Sequence, residues 1–287
     1  MQRTKSGADM TNVTKIDCHQ HFWLRERGDY DWLTPALGAI YEDFLPKDLA
    51  PLLTQAGVSK TVLVQAAETD AETDFMLDLA NQSAFIAGVV GWVDMAAPNA
   101  LARLEQLKGQ PFFKGIRPMI QDIPDDNWML DASLDPAFRY LIDHGLCFDA
   151  LVKPQHLDNL YTLLKRYPTL NVVIDHGAKP NIAGDHYNEW AEKLAKIAQD
   201  TQAFCKLSGL ITEADASQGF SSLEPYADLL LESFGAKRLM WGSDWPVLNL
   251  ASNYADWANW SQTYIAKLSE GDQQSIWGGA AADFYRL

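Results

Sequence analysis

The chain has 287 residues, 47% hydrophobic and 21% charged, the balance of a globular enzyme, and no run of about 18 apolar residues that would span a membrane. A formal net charge of −15 repels phosphate backbones and argues against nucleic acid as a partner, though it says little about a small molecule that feels only its own pocket. Three widely spaced cysteines, Cys18, Cys147 and Cys205, make neither a disulfide framework nor a CxxC metal pair, and read as buried thiols of a cytoplasmic protein.

Residues 1–12 are polar, lack the apolar centre of a secretory signal and read as a disordered tail, with Met10 an alternative start; the folded unit is expected over 13–287. The first strand, 13–21, ends Asp17-Cys18-His19-Gln20-His21. Strict alternation puts Asp17, His19 and His21 on one face and Cys18 and Gln20 on the other. A long loop over 23–44 follows, carrying Arg25, Glu26, Arg27, Tyr30, Trp32 and Tyr41. Helical spacing then covers 46–55, 71–81, 97–107, 135–143, 155–167, 190–200 and 223–233. Between these stretches lie β-rich runs at 61–66, 85–93, 113–117, 146–152, 171–176, 203–208 and 238–244. Residues 273–285 read as a last helix packing back on the rest.

Alternating strand and helix at spacings near roughly 30 residues is the signature of parallel βαβ units. Eight of them close a single-domain (β/α)8 barrel. A doubly wound sheet would open with a glycine-rich phosphate turn, and none follows the first strand. In a barrel, the loop over 23–44 leaves the C-terminal end of strand one and overhangs the pocket.

The ends of the strands carry the chemistry. His19 and His21, at i and i+2, can converge on one metal ion or one substrate. His176 emerges from an apolar run, Asp244 ends strand eight and Arg117 ends strand four. Each has an ordinary reading: a core histidine, a helix cap, a surface ion pair. Together they stand at the ends of four strands, which is how barrel enzymes build a site.

Ordered stretches carry a resemblance: IDCHQHFW at 16–23, VLVQA at 62–66, GVVGWVDM at 88–95, KGIRP at 114–118, VIDHGAKP at 173–180, KLSGL at 206–210, WGSDWPV at 241–247 and GGAAADFY at 278–285. With these the chain resembles the amidohydrolase superfamily, in the branch of sugar-lactone hydrolases that includes L-fuconolactone and L-rhamnonolactone hydrolases. The resemblance implies a lactonase that opens a small lactone, first an aldonolactone of the L-fucono, L-galactono or L-rhamnono type, by base-assisted attack of water. It implies His19, His21 and Asp244 as ligands of one divalent metal, zinc first, with Asp244 also the base and His176 its partner. Binuclear members use a histidine at strand five, where this chain has Leu151-Val152-Lys153 and only His156 in the following helix. That departure argues against two metals and leaves one metal or none, since some relatives in the branch act without a tightly bound ion.

For substrate contacts the candidates are Arg117, whose fork suits carboxylates or paired hydroxyls, Gln65, Lys153 or Lys206, and the aromatic faces of Trp92, Trp245 and Trp23. Asp17 is expected to orient His19, and His144 and His186 to lie on the surface. Rival readings are a dicarboxylate or muconolactone-type lactonase, a metal-dependent decarboxylase of the same superfamily, and an inactive barrel that only binds a ligand. The partner expected is the lactone itself; a homo-oligomer is compatible with the sequence.

Overall fold

The computed structural model describes residues 14–184 and 186–287; the expected tail and Met10 lie outside the described residues. In chain order the repeating elements are β1 (Lys15–Gln20), α1 (Pro46–Ala56), β2 (Val58–Val64), α2 (Asp70–Gln82), β3 (Ile86–Gly91), α3 (Ala100–Lys108), β4 (Phe113–Ile116), α4 (Asp135–His144), β5 (Cys147–Ala150), α5 (Leu157–Arg166), β6 (Asn171–Ile174), α6 (Tyr187–Asp200), β7 (Phe204–Leu207), α7 (Glu224–Phe234) and β8 (Leu239–Trp241). Then come α8 (Tyr254–Ile265), α9 (Glu270–Gln274) and α10 (Ala280–Tyr285).

The helices follow from their apolar stripes. In α5, Leu157, Leu160, Leu163 and Leu164 recur at helical spacing and are buried, each worth about 1.5–3 kcal/mol of apolar burial. α1 and α4 stop at Gly57 and Gly145, both in the left-handed conformation that only glycine adopts without cost. The expected helices agree to within a few residues. One was missed: α8 buries Tyr254, Trp257, Ala258, Ser261, Tyr264 and Ile265 behind an Asn253 cap, a helical period that the sequence did display.

The strands pair in parallel in the order β1-β2-β3-β4-β5-β6-β7-β8. Closure runs through residues just beyond the last strand: Asp244 N–H donates to His19 O and His21 N–H to Trp245 O, both at 2.8 Å. This is the (β/α)8 barrel. The strands are shorter than expected at their C-terminal ends, because the chain turns there; His176 and Asp244 both have positive φ, 53° and 59°.

Alternation also breaks inside β1, whose register against β2 shifts between Asp17 and Gln20. Cys18 lies in the inner cluster with Ile16, Val62, Val64, Val90, Val173 and Met240, while Asp17 faces Tyr254 of α8. The expectation that Asp17 shares a face with His19 and His21 is therefore corrected: the irregularity brings Cys18 and His19 inward in succession. The C-terminal segment does more than pack back on the barrel. Phe284 and Tyr285 join that inner cluster, and the backbone O of Arg286 accepts from Lys114 at the start of β4, so α10 plugs the end of the barrel opposite the site.

Candidate active site

Four side chains meet at the C-terminal mouth. His19 Nε2 lies 3.2 Å from His21 Nε2, and Asp244 Oδ1 lies 3.6 Å from His19 Nε2, 3.3 Å from His21 Nε2 and 3.7 Å from His176 Nε2. All four are buried. The ring orientations are held from behind: His21 Nδ1 is 2.8 Å from Val64 O and His176 Nδ1 2.8 Å from Ser208 Oγ. Gly209, at φ +63°, passes so close that a Cβ there would stand 2.5 Å from His176 Nδ1, so a side chain would push the imidazole out of place.

His19 Nδ1 faces two groups, Lys206 Nζ at 3.0 Å and Asp175 Oδ1 at 3.5 Å. Lys206 is fully buried and bridges Asp149 at 2.6 Å and Asp175 at 2.9 Å. Tyr285 of α10 also donates to Asp149. Arg117 Nη1 lies 3.4 Å from both Asp175 Oδ2 and His19 Nε2. A ladder of buried charges thus runs beneath the histidines, where burial strengthens each interaction.

The electrostatics follow from burial and these partners. Burial lowers the imidazoles of His19 and His21, and takes His176 down to about 4, so all three are neutral at pH 7. Burial pushes Asp244 up, but the surrounding imidazoles outweigh it and hold the carboxyl below the usual range. Asp175 goes the same way: burial is overcome by Lys206, His19 and Arg117. Asp149 shares Lys206 with Asp175, lacks the other cations, and is raised by burial to about 6. Lys206 stays protonated because its two carboxylates outweigh its desolvation.

A cavity of about 290 Å³ opens over this cluster, with His21, His176, Asp244 and Arg117 on one side and Trp23, Trp32, Leu37, Ile40, Val247 and Leu250 on the other. The loop over 23–44 does overhang it: Trp32 donates Nε1 to Ala66 O at 2.7 Å.

Other expected contacts fall elsewhere. Gln65 is buried below the cavity, donating to Arg117 O at 2.5 Å and accepting from Arg117 Nη2; it holds the arginine instead of a substrate. Trp92 stands outside the cavity lining, its backbone bonded to Thr73. Trp245 packs edge-on against Phe22 and Phe44. Lys153 donates to Gln121 O and lines a neighbouring groove. Asp17 bonds the backbone N–H groups of His19 and Ser243, so it steadies the chain at the site without touching the imidazole. His156 pairs with Asp126. His144 stacks on Tyr140, and His186 borders the same groove as Lys153. Asp149, Asp175 and Lys179 escaped the sequence reading, although a carboxylate inside the apolar run of strand five was a visible signal.

Comparison with known proteins adds an independent line. The amidohydrolase family model matches residues 16–287. The chain is 44% identical over 277 residues to an L-fucono-1,5-lactonase of Burkholderia ambifaria, covering 95% of this chain and 96% of that protein. It is 34% identical to an L-fucono-1,5-lactonase of Burkholderia multivorans, again over 95% and 96% of the two chains. An amidohydrolase from Burkholderia multivorans, crystallised with zinc bound, superposes with a TM-score of 0.89 at 35% identity, over 96% of this chain and 99% of that one.

Proposed function

The chain belongs to the amidohydrolase family, and from that premise we propose that its barrel mouth hydrolyses a sugar-acid lactone, the L-fucono-1,5-lactone type first. The observation that carries this reading is the convergence of three neutral imidazoles on Asp244 under a cavity of about 290 Å³. The L-fucono-1,5-lactonase relatives support the same substrate class, and the decarboxylase and dicarboxylate alternatives are less supported.

Water attacks the acyl carbon while Asp244, ionised throughout the neutral range, takes its proton. His176, neutral and beside Asp244, is the second proton acceptor. Arg117 supplies positive charge on the cavity wall as the carbonyl oxygen becomes negative. When the acyl–oxygen bond breaks, the proton held by Asp244 returns to the departing ring oxygen.

The donor set suits a single divalent ion, with His176 grouped where the sequence reading expected His21: His19, His176 and Asp244 offer atoms within 4.8 Å of one another, and neutral imidazole with carboxylate is a set that zinc takes. His19 would help to hold such an ion, its ring steadied from behind by Lys206 and Asp175 at Nδ1. Such an ion, when bound, lowers the pKa of a water and polarises a carbonyl.

The test is acid release from a panel of aldonolactones (fucono, galactono, rhamnono and arabinono, both series), followed with a pH indicator before and after chelation. Turnover of one stereochemical group, lost by at least about 10³-fold in Asp244→Asn, is the expected result. Chelator sensitivity separates the metal-assisted from the metal-free form. Silence across the panel would sink the reading.

A further inference from the structure

Ring opening changes the charge that the cavity must hold. A neutral lactone enters; water adds to the acyl carbon, the acyl–oxygen bond breaks, the ring oxygen leaves as a hydroxyl, and the acid releases one proton to solvent and becomes a carboxylate. This anion forms beside Asp244, itself ionised, in a chain of net charge −15. Its departure is helped by a nearby cation that is not already committed.

Two cations line the cavity among the described residues, Arg117 and Lys179. Arg117 is 3% exposed, with Nη1 on Asp175 and Nη2 on Gln65 O. Lys179 differs. Its ammonium has one ion-pair partner, Glu213 at 3.3 Å, and both side chains are 23% exposed. Its backbone is left-handed at φ 50°, a conformation that costs a lysine about 1–3 kcal/mol and concentrates at functional sites. Its N–H donates to His176 O at 2.9 Å, which ties it to the catalytic cluster.

Lys179 also belongs to a second space, an open groove of about 650 Å³ shared with Lys153, Asn181, His186 and Glu213. The two spaces adjoin at another point: Lys153, in the groove, donates to the backbone of Gln121, which lines the cavity. An open-chain hydroxy acid is longer than the ring it came from, and the groove gives it room.

We propose, on the lactonase reading, that Lys179 takes up the carboxylate of the ring-opened product and draws it from the catalytic cavity toward this groove. Glu213 holds the ammonium in the free enzyme and yields it to the product. Lys179 therefore discriminates acid from lactone.

The experiment measures the inhibition constant of the acid anion as a multiple of the KM of its own lactone, in wild type, Lys179→Met, Lys179→Arg and Glu213→Gln. The ratio should rise about tenfold in Lys179→Met, stay within about twofold in Lys179→Arg, and fall in Glu213→Gln, where the ammonium is released. An unchanged ratio in Lys179→Met, or an equal rise in Lys179→Arg, overturns the proposal. Calorimetric titration with sodium L-fuconate reads the same contact without turnover. Binding weakened by Lys179→Met supports it, and equal binding, or none to wild type, refutes it. Loss of lactone turnover in wild type would instead count against the lactonase reading.

Discussion

Lys206 shows at the scale of one residue how a candidate site can rest on a buried group outside the cavity lining. It has no exposure, and its charge is tolerated because Asp149 and Asp175 flank it at 2.6 and 2.9 Å. Removing one member of a buried pair strands the others, which is far costlier than the pair is worth. Lys206→Met is expected to destabilise by about 3–5 kcal/mol in urea unfolding, and to displace His19, whose Nδ1 it meets. A shift below about 1 kcal/mol would mean that water reaches the carboxylates. In sequence Lys206 looks like any strand lysine, and only the inward direction of its side chain gives it this role. The same distinction separates the expected substrate contacts: Arg117 reaches the cavity, whereas Gln65, two strands away, turns under it.

At the scale of elements, the junction of β2 and α2 shapes the cavity wall. Glu72, in the first turn of α2, accepts from the N–H groups of Ala66 and Ala67, while Ala66 O receives Trp32 from the overhanging loop. Thr69, which caps α2, donates to Asp29 in the same loop. The loop is thus pinned to the scaffold. Burial raises Glu72 to about 8, against the opposing pull of those N–H donors. A carboxyl whose folded pKa lies above its ordinary 4.5 binds its proton more tightly in the folded state. Its contribution to stability is complete below about pH 4.5 and is lost as the pH rises through about 8. Unfolding free energy of wild type should therefore fall over that interval relative to Glu72→Gln, which cannot titrate; parallel pH profiles would contradict the assignment.

For the whole molecule, the barrel is closed at both ends by different means. Its mouth is joined by backbone bonds between His19, His21, Asp244 and Trp245, so closure and the geometry of the candidate site depend on the same residues. Its base is filled by α10, with Phe284 against Phe204 and Tyr285 bonded to Asp149. Phe284→Ala should cost about 3–5 kcal/mol, read as a lowered unfolding midpoint; a cost near that of an exposed phenylalanine would show that α10 is not part of the core. No helix among the described residues is long and apolar enough to cross a membrane.

The sequence by itself determined the barrel, because period-two and period-3.6 patterns alternate along the chain and local hydrophobic spacing decides strand from helix. It also pointed to His19, His21, His176, Arg117 and Asp244, which the fold brings together at the barrel mouth, because barrel chemistry collects where strands end. Only the tertiary structure decided which neighbours join them. The irregularity in β1 turned Cys18 inward and Asp17 outward, and packing placed Trp92, Trp245 and Lys153 outside the cavity lining. The ladder of Asp149, Lys206 and Asp175 also appeared only in the fold. Its members come from β5, from β7 and from the residue that follows β6, and a charge between distant segments is visible only once the sheet has closed around it.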